Sequence, residues 1–134
     1  RWDDWNLRVV NTRHSVQNLG LRLEAGSPTK VFCYSGDGMF TPTASKLYTN
    51  ADLLVHDAYT MDGTVKNFKK EVITIGTKTH CSMQQLERLD DMARPKKMAL
   101  IHVNRNLRKD RNEILKKYKQ RRWIMPESGD VINL

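Results

Sequence analysis

The sequence predicts an α/β fold, and three observations predict it. Two apolar runs, Val31-Phe32-Cys33-Tyr34 and Leu53-Leu54-Val55, each stop at a carboxylate, the first in Ser35-Gly36-Asp37-Gly38 and the second in His56-Asp57. Leu19-Gly20-Leu21-Arg22-Leu23-Glu24 alternates with the period of two that a half-buried strand shows. Between the later apolar runs, Ser82 to Gln85 and Asp110 to Glu113 have the spacing of a helix capping box. Strands that deliver carboxylates at their carboxyl ends make an active-site floor in such folds, because ligands collect where the strands run out.

Taken in order, Leu7 to Val10 is a short apolar run leading to His14, and the alternating strand follows. Ala25-Gly26-Ser27-Pro28 turns it back onto Lys30 to Tyr34, which is fully apolar and therefore central. Thr41-Pro42-Thr43 opens a short helix through Tyr48, since proline fits a helix's first turn, and Asn50 closes it. After the strand Leu53 to Val55, residues 58–70 show no period and read as an exposed loop near the site, of the kind that handles substrate. Met83, Leu86, Leu89 and Ala93 recur at helical spacing and predict a helix that stops before Pro95. Its amino end offers N–H groups near His80, a phosphate position. Lys97 to Val103 is the next strand, and Ile114, Leu115 and Tyr118 give a narrow apolar stripe to a helix opened by Asp110. Trp123-Ile124-Met125 and Val131-Ile132 are expected to close the chain as a strand pair. Helices then cover one face of a sheet, and its other face needs another layer.

A chain of 134 residues is one domain at most, so residues 1–134 are read as a single unit without an internal boundary. Its 23 Lys+Arg against 15 Asp+Glu give a net charge of +8, which favours a polyanionic partner such as nucleic acid. The excess concentrates between Arg105 and Arg122, where Asp110 and Glu113 are the only acids. That stretch is either a solvated helix face or a phosphate-binding one. Cys33 and Cys81 have neither zinc-knuckle spacing nor the density of a disulfide framework, so a reduced, cytoplasmic setting is expected. No window reaches the roughly 18 apolar residues of a membrane span, and the start does not read as a signal peptide, so no membrane partner is expected. Trp2 and Trp5 have nothing before them to pack against, and a segment upstream of Arg1 is expected.

His14, His80 and His102 each follow or end a strand-like segment. Imidazole and carboxylate are the ligand set for zinc and similar divalent ions, so convergence of these residues would hold a metal and a water. Alone, Asp37 reads as a turn aspartate and each histidine as a hydrogen-bonded near-core residue. His56 alternates with Asp57 along a strand, points to the opposite face and reads as structural. Cys81 has no paired base and is not assigned as a nucleophile.

The order of these residues resembles the carboxyl-terminal half of a metallo-β-lactamase-fold hydrolase, closest to the ribonuclease Z and cyclic-nucleotide phosphodiesterase branch. His14-Ser15-Val16-Gln17-Asn18-Leu19-Gly20-Leu21-Arg22-Leu23 resembles that family's third metal motif, and Tyr34-Ser35-Gly36-Asp37 its fourth. His56-Asp57-Ala58 falls where the branch has His-Glu-Ala, His80-Cys81-Ser82 where it has His-Ser-Thr, and Leu100-Ile101-His102 where it has Leu-Thr-His. The leading His-x-His-x-Asp-His motif is absent, Gly38 replaces a threonine, Asp57 is shorter than the usual glutamate, and Arg105 stands one residue early.

The resemblance implies an αββα sandwich of which this chain supplies about the carboxyl-terminal half, with a metal site at the seam. It implies His14, Asp37 and His102 as ligands of two divalent ions, zinc expected and manganese the alternative, with Asp37 bridging. It implies His80 as a catalytic group at the phosphate, oriented by Asp57, and Ser82 and Arg105 as substrate contacts. The implied activity is metal-dependent phosphodiester hydrolysis, by a nuclease such as a tRNA 3′-processing endonuclease or by a cyclic-nucleotide phosphodiesterase. The partners implied are a nucleic-acid or nucleotide substrate and an amino-terminal half on the same or another chain, with a homodimer left open. The rival reading is a metal-free nucleic-acid- or partner-binding module that uses the basic Arg105 to Arg122 stretch.

Overall fold

A computed structural model of the chain describes residues 4–66, 72–74 and 79–134. Along it run β1 (Asn6–Thr12), β2 (Asn18–Ala25), β3 (Lys30–Tyr34), α1 (Pro42–Leu47), β4 (Leu53–Asp57), β5 (Thr64–Lys66), β6 (Val72–Thr74), α2 (Met83–Ala93), β7 (Met98–Ile101), α3 (Arg105–Lys109), α4 (Arg111–Lys117) and β8 (Trp123–Ile124), with a 3₁₀ turn at Lys119–Arg121. Six strands form one sheet in the order β1-β2-β3-β4-β7-β8. The first three pair antiparallel, and from β3 onward every pairing is parallel.

This order decides which face is covered. From β3 to β4 to β7 to β8 the sheet grows in one direction only. Right-handed crossovers then place every connecting helix on the same side, whereas a doubly wound sheet covers its second face by reversing direction. Accordingly Cys33, Leu54, Met98, Leu100 and Trp123, which share one face by register, form a single buried cluster with Ala44 and Tyr48, with Leu86 and Leu89 of α2, and with Leu107 and Ile114. On the opposite face Leu21, Leu23, Phe32, Tyr34, Val55, Ile101 and Ile124 are half-buried, and Leu7, Val9 and Leu19 are 60%, 59% and 46% exposed. Trp5 is also more than half exposed, and Trp2 lies outside the described residues.

Local chemistry sets the helix starts. The Thr41 hydroxyl accepts from the Ala44 N–H at 3.1 Å with Pro42 in the first turn of α1, and Asn50 takes the left-handed conformation beyond it. Ser82 and Gln85 form a reciprocal capping box on α2, and Arg94 ends that helix in a left-handed conformation before Pro95. Such a cap is worth about 1 kcal/mol.

Four expectations change. Residues 58–70 are not a plain loop, because β5 pairs antiparallel with β6; residues 67–71 lie outside the described residues. The capping box at Asp110 does not form. Arg105–Lys109 is already helical, so Asp110 sits at φ −94°, ψ 16° instead of the extended geometry that a cap requires, and Asn104 caps from ahead of α3. The basic stretch is therefore two helices and a 3₁₀ turn. Val131-Ile132 forms no strand: Glu127–Asp130 closes a turn on itself, and Val131 is 84% exposed and buries nothing. Among the described residues no helix is long and apolar enough to cross a membrane.

Candidate metal centre

Since β1, β3, β4 and β7 all run the same way, their carboxyl ends meet at one edge of the sheet. His14 follows β1, Asp37 follows β3, Asp57 ends β4 and His102 follows β7. His80 arrives from outside the sheet. The Tyr59 N–H donates to the Cys81 carbonyl at 2.9 Å and Thr60 bridges Ser82, which lays the start of α2 across the end of β4.

Ligand-type atoms of Asp37, Asp57, His80 and His102 lie within 4.8 Å of one another. Nδ1 of His80 is 2.8 Å from Oδ2 of Asp57 and 3.1 Å from Oδ1 of Asp37, and Nδ1 of His102 is 2.8 Å from the same Asp37 oxygen. The His14 ring stands edge-on to His80, centroids 5.2 Å apart, and its Nδ1 faces the Ser15 hydroxyl and the Val16 N–H at 3.4 Å.

The Asp37 turn is clamped to the His14 turn. The Asn18 side chain accepts from the Asp37 N–H at 3.2 Å and donates to the Ser35 carbonyl and the Thr12 hydroxyl. Arg13 and Met39 exchange two backbone hydrogen bonds of 2.9 Å. Glycine is required at both ends of this clamp. A Cβ on Gly36, at φ +68°, would stand 2.5 Å from Asn18 Oδ1, and one on Gly38 would stand 2.6 Å from the Arg13 carbonyl oxygen. His102 adopts φ 53°, a left-handed conformation that costs a non-glycine residue about 1–2 kcal/mol.

Asp57 is fully buried, and its Oδ1 has no hydrogen-bond partner. Burial, helped by the Asp37 carboxyl beside it, pushes the Asp57 carboxyl up to about 8, against the pull of His102. Next to it His56 points the other way, fully buried between the edges of Phe40 and Tyr48, its Nδ1–H donating to the Asp57 carbonyl at 2.9 Å. Burial lowers this imidazole to about 4, so it stays neutral and structural.

Two expected substrate contacts part company. Arg105 is exposed at the first residue of α3, three residues past His102. Ser82 is only 3% exposed and its hydroxyl accepts from the Gln85 N–H, so it is committed to the helix cap. The phosphate position expected at the amino end of α2 is likewise closed: the N–H groups of Met83, Gln84 and Gln85 donate to Thr60 O, Met61 O and Ser82 Oγ. The residues just past Asp57 bring those acceptors to the helix end, and no helix-terminus rule could show that. Sequence reasoning also missed Tyr59, whose ring stacks on His80 at 4.7 Å and leans on His102 at 5.2 Å. Its place two residues past Asp57 was the available signal.

Two imidazoles and two carboxylates within 4.8 Å of one another are a donor set that suits a divalent metal ion.

The sequence matches no protein-family model and no curated protein. Its fold does have solved counterparts. Human tRNase Z, short form, superposes with a TM-score of 0.70 at 19% identity over 98% of this chain and 44% of that one. The metallo-beta-lactamase fold protein YhfI from Bacillus subtilis gives 0.60 at 18% identity over 80% of this chain and 42% of that one. An isothiocyanate hydrolase from Delia radicum gut bacteria gives 0.67 at 12% identity over 98% and 55%. The chain thus spans about half the length of the proteins it matches, and at these identities the likeness is one of fold.

Proposed function

We propose, from the premise that this chain has part of a metallo-β-lactamase fold, that it supplies the carboxyl-terminal half of a metal-dependent phosphodiester hydrolase, a nuclease of the tRNA 3′-processing kind or a cyclic-nucleotide phosphodiesterase. The observation that carries the reading is the convergence of Asp37, Asp57, His80 and His102 at the carboxyl edge of the sheet. In this reading residues 1–134 are one half-domain. The bare apolar face supports a second sheet as its cover, contributed by the same or another chain.

His14, Asp37 and His102 would hold the divalent ions, and the remaining ligands would come from the covering half. When bound, such ions supply Lewis acidity and a nucleophilic water at neutral pH. The chain's own residues do the rest. Asp57 fixes Nδ1 of His80, so the imidazole presents Nε2 to a phosphate and can give a proton to the departing oxygen. Tyr59 packs against both rings and holds them in place. Arg105 is free to meet a flanking phosphate.

Metal analysis of the natively expressed protein, with bis(p-nitrophenyl) phosphate and a 3′-extended tRNA as substrates, tests this. About two ions per site and hydrolysis of a phosphodiester are expected. Protein that holds no metal and cleaves neither substrate, yet binds RNA, would be a binding module instead.

A further inference from the structure

Beside His102 a cavity of about 80 Å³ opens between the end of β7, the helices α3 and α4, and the segment after β8. His102 forms one wall; Arg108, Arg111, Met125, Pro126 and Glu127 form others. We propose that this cavity is an anion subsite that takes a single phosphate group of the substrate, adjacent to the phosphate at the His80 and His102 cluster. This rests on the reading of that cluster as a phosphodiester-cleaving site.

Size selects a group and not a nucleoside, since pockets that enclose a whole drug-sized ligand run to about 300–1,000 Å³. Charge selects an anion. Arg111 is oriented by its Nε–H, which donates to the Met125 carbonyl at 2.9 Å and leaves the two terminal nitrogens of the guanidinium for a ligand. Arg108, one turn earlier, makes no ion pair among the described residues. Two guanidinium groups beside apolar walls match the planar, bidentate way arginine holds phosphate, and the apolar surroundings strengthen the attraction. Glu127 is the one acid in the lining. It is 68% exposed and 3.8 Å from Arg111 Nε, too far for a hydrogen bond, so it acts as a loose internal competitor that an arriving phosphate displaces. Because His102 belongs both to this wall and to the candidate metal centre, the two phosphates would be neighbours on one polynucleotide strand.

The test is calorimetric titration of the natively expressed protein in EDTA with inorganic phosphate and with adenosine 5′-monophosphate against adenosine. Phosphate and the monophosphate should bind and adenosine should not. Arg108→Ala should weaken that binding about tenfold or more, and Glu127→Gln should tighten it. With metal restored, Arg108→Ala should raise KM for a short oligonucleotide more than for bis(p-nitrophenyl) phosphate, which has one phosphate only. Binding that neither substitution moves, in variants that melt like the parent, overturns the subsite. A protein that binds phosphate in this way but cleaves no phosphodiester keeps the subsite and loses the hydrolase reading.

Discussion

Nδ1 of His80 lies 2.8 Å from Oδ2 of Asp57, a half-buried imidazole on a fully buried carboxyl group. The bond fixes which ring nitrogen faces inward and leaves the other for substrate. His80→Ala in the complete enzyme should therefore lower turnover by about 10²–10⁴-fold while metal content stays constant. Asp57→Asn should act in the same direction but less. Metal lost along with turnover in His80→Ala, read by atomic absorption, would make His80 a ligand and sink its assignment to the leaving group.

Gly38 tests the clamp. Any Cβ there meets the Arg13 carbonyl at 2.6 Å, so Gly38→Ala must spread the His14 and Asp37 turns, both beyond the core. Metal affinity should fall by about tenfold or more while secondary structure persists. Competition with a chelator measures it, and an unchanged affinity would mean that His14 and Asp37 do not act on the same ions.

His56 predicts an acid limb of stability. Its folded value of about 4 lies below the ordinary histidine value of 6.5, so below pH 6.5 the unfolded chain takes up a proton that the folded chain refuses. The contribution is complete above pH 6.5 and is lost as pH falls toward 4, with a slope of up to about 1.4 kcal/mol per pH unit. His56→Asn, whose Nδ2 stands where Nδ1 stands and can still donate to the Asp57 carbonyl, should flatten that limb in denaturant titrations; an equally steep limb in the variant would assign it to other groups.

Not all of the basic stretch is available to a polyanion. Arg121 Nη1 is 2.8 Å from Asp91 and 3.1 Å from Asp90, and the Arg121 guanidinium also faces the Trp123 ring, so Arg121→Ala should cost stability and leave RNA affinity nearly unmoved. Lys116 and Lys117 are exposed, and if the stretch touches RNA each substitution to Ala should reduce the salt slope of binding by about 1. Salt-independent RNA affinity, or none, would make the stretch a solvated face.

The bare face predicts the behaviour of residues 1–134 in isolation. With Leu7, Val9 and Leu19 exposed beside a row of half-buried aliphatic and aromatic side chains, the chain alone should self-associate and bind a hydrophobic dye. Sedimentation that shows a cooperative, dye-free monomer retaining two metal ions after dialysis would refute both the half-fold and its borrowed ligands.

The sequence by itself determined the strands of the site floor and the two capped helices, while the residues expected at the edge came from the order of the motifs. Strands and helices rest on chemistry local to a few positions: the unbroken apolar run of Val31 to Tyr34, the Thr41 cap with Pro42, the reciprocal bonds of Ser82 and Gln85. Only the tertiary structure decided what depends on residues distant in the chain. The N–H groups of α2, free by helix rules, are taken by Thr60 and Met61, which the path of the preceding segment brings there. Asp110 fails as a cap because Asn104 has started a helix ahead of it. The burial that raises Asp57 and lowers His56, and the packing of Tyr59 against both His80 and His102, follow from which layers meet. A sheet that advances in one direction puts its connecting helices on one side, and so no helix among the described residues covers its other, apolar face.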